Sequence, residues 1–330
     1  MPRNLITDVS GVTVGHAQDA HVATGTTVIV FDEPAVAAVD VRGGGPGTRE
    51  VDLLDPAMTV DRIEAIVLSG GSAFGLDAAS GVQAYMREHG RGYVVGAARV
   101  PIVPGAILFD LLNGGDKNWG LYPPYRELAY AATASAAVDF ALGSVGAGAG
   151  ATTVNFKGGI GSASAVTADG IAIGALAAVN AAGIVVVADG PWFWAAPFEQ
   201  HKEFGGHGFP AQMPPGALAV RTKGAPRAST TLVAVATDAK LTKAQTKRLA
   251  VMAQTGLTRA IYPVHTPLDG DLVFAAATGQ RPLADPAFAL TQLGAAAANV
   301  VARAIARGVY AATALPFAGA LPAYRAKFED

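Results

Sequence analysis

An unbroken apolar run, Leu232-Val233-Ala234-Val235-Ala236, begins directly after the polar residues Ser229, Thr230 and Thr231 and ends at Thr237-Asp238. A short continuous apolar run between polar borders describes a buried strand, and such a strand needs other layers of the chain to cover it. The two threonines at its head have two readings. Threonine is a good strand former, and a threonine hydroxyl held at the head of a buried strand is also a rigidly placed nucleophile. Ahead of the run, residues 191–227 carry two tryptophans, His201, His207, six prolines and several glycines with little periodicity. A structureless stretch of that length inside a compact domain is uncommon and is either functional or mobile. Its Trp192, Phe193 and Trp194 either line an apolar channel or pack between subunits.

Residues 12–16, 25–31, 35–42, 63–68, 165–166, 171–180 and 272–277 also read as strands. Residues 76–87, 125–140, 242–254 and 290–307 read as helices. The pattern is that of an α/β protein with no tandem repeat. The 330 residues are 51% apolar with a mean hydropathy of +0.34, and only 15% are charged, below the roughly 25% usual for soluble domains. Such a chain buries a large core and gains by self-association. Its longest apolar runs, 171–188 and 300–315, are interrupted by Gly174, Asn180 and Gly183, and by Arg303, Arg307 and Gly308. Neither is the span of about 20 uninterrupted apolar residues that a membrane helix needs. The first residues lack the apolar stretch of a signal peptide, which gives a cytoplasmic expectation.

No cysteine is present, so disulfides, thiol nucleophiles and thiolate-held metals are excluded. The formal charge of −2, without a long basic run, offers no footprint for nucleic acid. The six histidines show no His-x-x-x-His pairing, so no metal or cofactor is expected.

Several stretches carry candidate chemistry. Ser72, in Gly70-Gly71-Ser72-Ala73-Phe74-Gly75, approaches a nucleophile elbow but has Phe74 where that motif requires glycine; a turn serine is the better reading. The glycines at 146, 148 and 150 lack the full dinucleotide-binding pattern and read as close backbone packing. Asp269 and Asp271, two apart on a turn entering an apolar strand, would repel one another if they shared a pocket, which suits proton transfer; otherwise they form a solvated turn. Lys157 is a surface cation or a member of a site. Asn180 lies in an apolar run, where a buried amide must find partners, as an oxyanion donor or as a turn former.

In order along the chain stand Thr7-Asp8-Val9 with Gly11-Val12-Thr13-Val14-Gly15-His16, then Gly44-Gly45-Pro46-Gly47-Thr48-Arg49-Glu50 and Leu68-Ser69-Gly70-Gly71-Ser72-Ala73-Phe74-Gly75-Leu76. Phe156-Lys157-Gly158-Gly159-Ile160-Gly161 and Val235-Ala236-Thr237-Asp238-Ala239 follow. On these five blocks the chain resembles, over nearly its whole length, the DmpA-type aminopeptidases. That family includes the β-peptidyl aminopeptidases and the 6-aminohexanoate-oligomer (nylon-oligomer) hydrolases. The resemblance implies a four-layer αββα sandwich of the N-terminal-nucleophile type, made as one chain, self-cleaved and assembled as a homotetramer or similar oligomer.

It also implies Thr230 as the nucleophile, a threonine as in the nylon-oligomer branch. Lys157, Asn180, Asp269 and Asp271 match that branch's other site residues. Self-cleavage between Ser229 and Thr230 would divide the single 1–330 unit into 1–229 and 230–330. The family usually has asparagine or aspartate before the nucleophile, so Ser229 predicts slower cleavage or an uncut chain. The freed α-amine would serve as the base for the hydroxyl, Asn180 and Lys157 would hold the oxyanion, and the aspartates would orient the amine and move protons. Short peptides, β-peptides and aliphatic oligoamides are the expected substrates. The competing readings are a Ser72 hydrolase and an unprocessed, non-catalytic binder of a small molecule.

Overall fold

The computed structural model describes residues 2–224 and 229–329; residues 225–227 at the end of the expected loop, and Ala228 after it, lie outside the described residues. The strands are β1 (Val12–Asp19), β2 (Thr24–Val41), β3 (Thr48–Arg49), β4 (Arg62–Ser69), β5 (Tyr93–Val95), β6 (Ala98–Val100), β7 (Gly105–Ile107), β8 (Ile160–Val166), β9 (Ala172–Asn180), β10 (Thr230–Ala239) and β11 (Leu272–Arg281). The helices are α1 (Ala78–Glu88), α2 (Tyr125–Ala134), α3 (Lys243–Ala253), α4 (Thr255–Thr258), α5 (Pro286–Tyr310) and α6 (Tyr324–Phe328).

Side-chain alternation sorts these elements into four layers. Leu232, Ala234 and Ala236 of β10, Leu176 and Ala178 of β9, and Leu272 and Phe274 of β11 share a core with Ile29 and Phe31 of β2 and Ile66 and Leu68 of β4. The intervening residues point the other way. Val233 and Val235 join Leu249 of α3 and Leu293, Val300 and Val301 of α5, while Val28, Val30 and Val67 meet Val82 of α1 and Ala129 of α2. Successive strand residues face opposite sides of a sheet, so two sheet layers meet face to face and each carries a helical layer outside it. The arrangement is the αββα sandwich.

The strands expected at 25–31 and 35–42 are one strand, β2, whose register shifts between Val30 and Ala35. The interval contains exposed Asp32 and Glu33 and then Pro34, which has no N–H to give to a ladder. The first half of β2 pairs with β1 and β4, and the second with β11, so this one strand passes between the layers. β8 begins at Ile160, inside the expected glycine-rich loop. Gly161 is required there because a Cβ would lie 1.9 Å from the Ala304 carbonyl oxygen of α5. α2 stops at Ala134 rather than running to 140; the Ser135 hydroxyl bonds back to Ala132 O, and Ala137 bridges to Val14 of β1.

α3 starts on a Thr242–Gln245 capping box and α5 on an Asp285 cap followed by Pro286, both strong start signals. α5 is long and apolar enough to cross a membrane by length and composition, but here it lies in the core beneath β8 and β9. In the 191–224 stretch, Phe193 is buried against Phe204 and Tyr324, so this aromatic residue packs into the core rather than lining a channel.

Candidate active site

Strand sense decides what meets at the head of β10. Antiparallel pairing with β9 sets Thr230 opposite Asn180, the last residue of β9. Parallel pairing with β11 sets Leu232 opposite Leu272, which brings Asp269 and Asp271, just ahead of β11, to the same rim. Ser229 extends the parallel ladder by bridging to Asp269. Thr230, Ser229, Asn180, Lys157, Asp269 and Asp271 are all buried, none more than 3% exposed.

The Thr230 hydroxyl donates to the carbonyl oxygen of Ser229 at 2.5 Å, and the Gly270 N–H donates to the same oxygen at 2.8 Å. The nucleophile candidate thus rests on the peptide carbonyl immediately before it, and that carbonyl already carries a backbone donor. Gly270 makes the close approach possible, since a Cβ at that position would lie 2.6 Å from Thr230 Oγ1. The Thr231 hydroxyl is buried without a partner among the described residues, while its N–H donates to Asp271 Oδ1 at 2.7 Å.

The two aspartates are held differently. Asp271 Oδ2 accepts from His265, from the backbone N–H at 3.1 Å and from the ring Nδ1 at 3.0 Å. Asp269 Oδ2 accepts from the Thr266 N–H at 2.8 Å, and among the described residues its Oδ1 is enclosed without a hydrogen bond. Burial, and then the charge of Asp271, raise the Asp269 pKa above the ordinary carboxylate value. Both aspartates are buried at the same rim and the charge of one bears on the other, so they do not form a solvated turn.

Asn180 is a bridge. Its Oδ1 accepts from the Thr152 N–H at 3.0 Å, which fixes the orientation of the amide, and its Nδ2 donates to Phe109 O at 3.0 Å. Among the described residues the backbone donor on the Ser229 carbonyl is the Gly270 N–H, while both ends of the Asn180 amide are engaged elsewhere. Lys157 Nζ donates to Gly148 O at 2.8 Å and Gly158 O at 2.7 Å, and its backbone bridges to Thr152, the partner of Asn180. Burial pulls the Lys157 pKa down to about 7, with the Asp110 carboxylate opposing that shift.

Three residues of the site's surroundings carried little or no sequence signal. Asp110 is buried and accepts from Thr24 Oγ1 at 2.6 Å and the Gly71 N–H at 2.8 Å, and burial raises its pKa. Lys223 Nζ donates to Asn180 O at 3.1 Å and Oδ1 at 2.9 Å. It lines a cleft of about 390 Å³ with Ala182, Ser229, Thr266, Pro267 and Leu268. His265 is the third; its place six residues before Asp271 in His265-Thr266-Pro267-Leu268-Asp269-Gly270-Asp271 was the only signal. Ser72 lies elsewhere, at the start of a short 3₁₀ helix, and among the described residues no histidine hydrogen-bonds to it.

The four layers and a site built at strand ends define an N-terminal-nucleophile-type hydrolase fold. The chain belongs to peptidase family S58, whose model matches residues 4–320. It is 44% identical over 349 residues to an uncharacterized aminopeptidase of Mycobacterium tuberculosis (strain ATCC 25618 / H37Rv), with 98% of each chain covered. It is 28% identical over 290 residues to a 6-aminohexanoate-oligomer endohydrolase of Kocuria sp. (strain KY2), covering 83% of this chain and 74% of that one. A β-aminopeptidase of Burkholderia sp. superposes with a TM-score of 0.71 at 25% identity, covering 98% of this chain and 91% of that one. The L-aminopeptidase D-Ala-esterase/amidase of Ochrobactrum anthropi, a variant of the Ntn hydrolase fold, gives 0.74 at 20% identity over the same shares.

Proposed function

We propose that this chain is a self-processing amidohydrolase whose nucleophile is Thr230. The observation that carries the reading is the Thr230 hydroxyl at 2.5 Å from the Ser229 carbonyl oxygen, with the Gly270 N–H at 2.8 Å on that same oxygen. Attack by Oγ1 on the Ser229 carbonyl carbon develops negative charge on an oxygen that already has a preorganised donor. The peptide nitrogen leaves as the α-amine of Thr230, and water then hydrolyses the ester at Ser229. The products are a 229-residue fragment and a fragment of 330 − 229 = 101 residues.

The cut supplies the base for substrate turnover. An α-amine with a pKa near 8 takes the Oγ1 proton as that oxygen attacks an amide carbonyl. Asp269 and Asp271 orient the amine, and Lys157 and Asn180 border the site where the oxyanion forms. Water releases the acyl group. Short peptides with a free amine are the favoured substrates, since the more similar relative is named an aminopeptidase; aliphatic oligoamides are the second class, from the endohydrolase relative. The reading extends to a cytoplasmic homotetramer, and sedimentation of the native enzyme tests its subunit number.

Intact mass and N-terminal sequencing after prolonged incubation test the proposal. The expected result is a small fragment with threonine at its first cycle, absent in Thr230→Ala. An active enzyme that stays whole, or a Thr230→Ala chain that still splits, refutes it.

A further inference from the structure

The carboxylate pair has an asymmetry that the chemistry of two aspartates does not itself impose. Three N–H donors converge on Asp271: Thr231 N on Oδ1, and His265 N and Nδ1 on Oδ2. Among the described residues Asp269 has the Thr266 N–H on one oxygen and no hydrogen bond on the other, the Thr266 hydroxyl and the Ala182 N–H lying only near enough to moderate its charge. A carboxylate with both oxygens taken by donors is an anchor. One with an enclosed, unpaired oxygen has a place for a further donor, because a buried acceptor without a partner is costly.

His265 creates the asymmetry at a cost to its own backbone. Its φ is +55°, in the left-handed region that a residue with a Cβ rarely occupies. That conformation directs both the backbone N–H and the ring onto the same oxygen of Asp271. Because an ionised carboxylate only accepts, Nδ1 bears the hydrogen in this contact. The ring is mostly enclosed, its side chain 19% exposed. The titratable groups beside it are Asp271 and, on the same turn, Asp269. β10 faces the pair with the Thr231 amide, and the segment after β2 with the Arg42 and Gly43 amides, which hold the Asp271 carbonyl.

We propose that His265 is the positioning residue that divides the labour of the pair. It clamps Asp271 as an acceptor fixed against the Thr231 amide, and so leaves Asp269 as the partner of the amine released at Thr230. The inference rests on the reading of Thr230 as nucleophile. In that chemistry the amine becomes an ammonium on taking the Oγ1 proton, and the unpaired oxygen of Asp269 receives one of its N–H hydrogens.

Two substitutions separate the ring from the backbone turn. His265→Gly relieves the positive φ and keeps the backbone N–H but removes Nδ1. His265→Asn tolerates positive φ and supplies a side-chain N–H near the place of Nδ1. With a short peptide amide as substrate, His265→Gly is expected to lower kcat by about 10- to 100-fold, the range seen when a supporting partner of a site residue is removed. KM should change less than about twofold, and His265→Asn should restore most of the rate.

Wild-type kcat in His265→Gly overturns the proposal. So do equal losses in both variants with a lowered Tm, the result of a purely structural turn. Thr230→Ala is measured alongside. If it retains activity, the nucleophile reading fails; if it is inactive while His265→Gly behaves as wild type, the failure belongs to His265 alone.

Discussion

Gly270→Ala is the most direct probe of the contact between the Thr230 hydroxyl and the peptide before it. Gly270 carries no positive φ, so alanine is compatible with its backbone, and its N–H stays in place on the Ser229 carbonyl. The new Cβ would lie 2.6 Å from Thr230 Oγ1 and 3.1 Å from Gly45 O, against ordinary contact beginning at 3.4 Å. The hydroxyl must therefore retreat by about 0.8 Å or rotate off the carbonyl, since Gly45 O is backbone and yields little. A displacement near 1 Å at a reacting atom costs on the order of 100-fold in rate. Freshly purified wild-type and Gly270→Ala chains, followed by denaturing gel over days, should differ by that factor in the appearance of the 101-residue fragment. Tm should fall only modestly, since overpacking by one methyl typically costs about 1–3 kcal/mol. Self-cleavage at the wild-type rate in a folded Gly270→Ala chain would refute the placement of the hydroxyl as the attacking group.

Lys157→Met should change the pH dependence of stability. The folded pKa is about 7 against 10.5 for the ordinary group, so between those values the unfolded chain holds the extra proton and wild-type stability rises with pH, by at most about 5 kcal/mol. Urea unfolding from pH 6.5 to 9.5 should show that slope in wild type and a flatter one in the variant. Burial holds the His16 pKa at about 4 against 6.5, so stability should fall as pH drops through 6.5 towards 4, by at most about 3 kcal/mol, and His16→Gln should flatten that fall in the same assay. Lys223→Ala removes the ammonium from Asn180 and widens the cleft. Its self-cleavage should stay within about threefold of wild type while KM for peptide amides shifts; a cleavage loss above tenfold would place Lys223 in the chemistry.

What could be read from the sequence follows the range of the interactions involved. The head of β10 is legible because the change from polar to apolar is local, and Asn180 stands out as an amide inside an apolar strand. Helix starts are legible where the cap is local, as at Thr242 and Asp285. Only the end of β8, at 165–166, reads as strand, because Gly161, Ser162 and Ser164 have no strand propensity of their own; that segment is a strand because α5 and β9 press on it. Lys223 meets Asn180 across 43 residues of sequence from a segment without periodicity, and no local rule aims a side chain over that distance. His265 points at Asp271 because of its backbone angle, which its residue type does not announce.

The strand order also fixes what a cut before β10 would do to the assembly. β10 lies between β9, which precedes the cut, and β11, which follows it, and β11 in turn pairs with β2. The 101-residue fragment is thus flanked on both sides by strands of the 229-residue fragment, through the ladder from Thr230↔Asn180 to Thr237↔Ile173 and the ladder from Leu272↔Val41 to Ala277↔Val36. Only the first rung, Thr230↔Asn180, includes a residue of the Ser229–Thr230 peptide, so cleavage leaves the rest of both ladders whole and presents the new amine at that first rung. α5 adds its buried face to β8 and β9 of the other fragment. The two pieces should therefore co-elute in native size exclusion and part only in denaturant, and the cut protein should melt in one transition. Separation of the fragments under native conditions would contradict both the sheet order and the reasoning that the amine of Thr230 is preorganised.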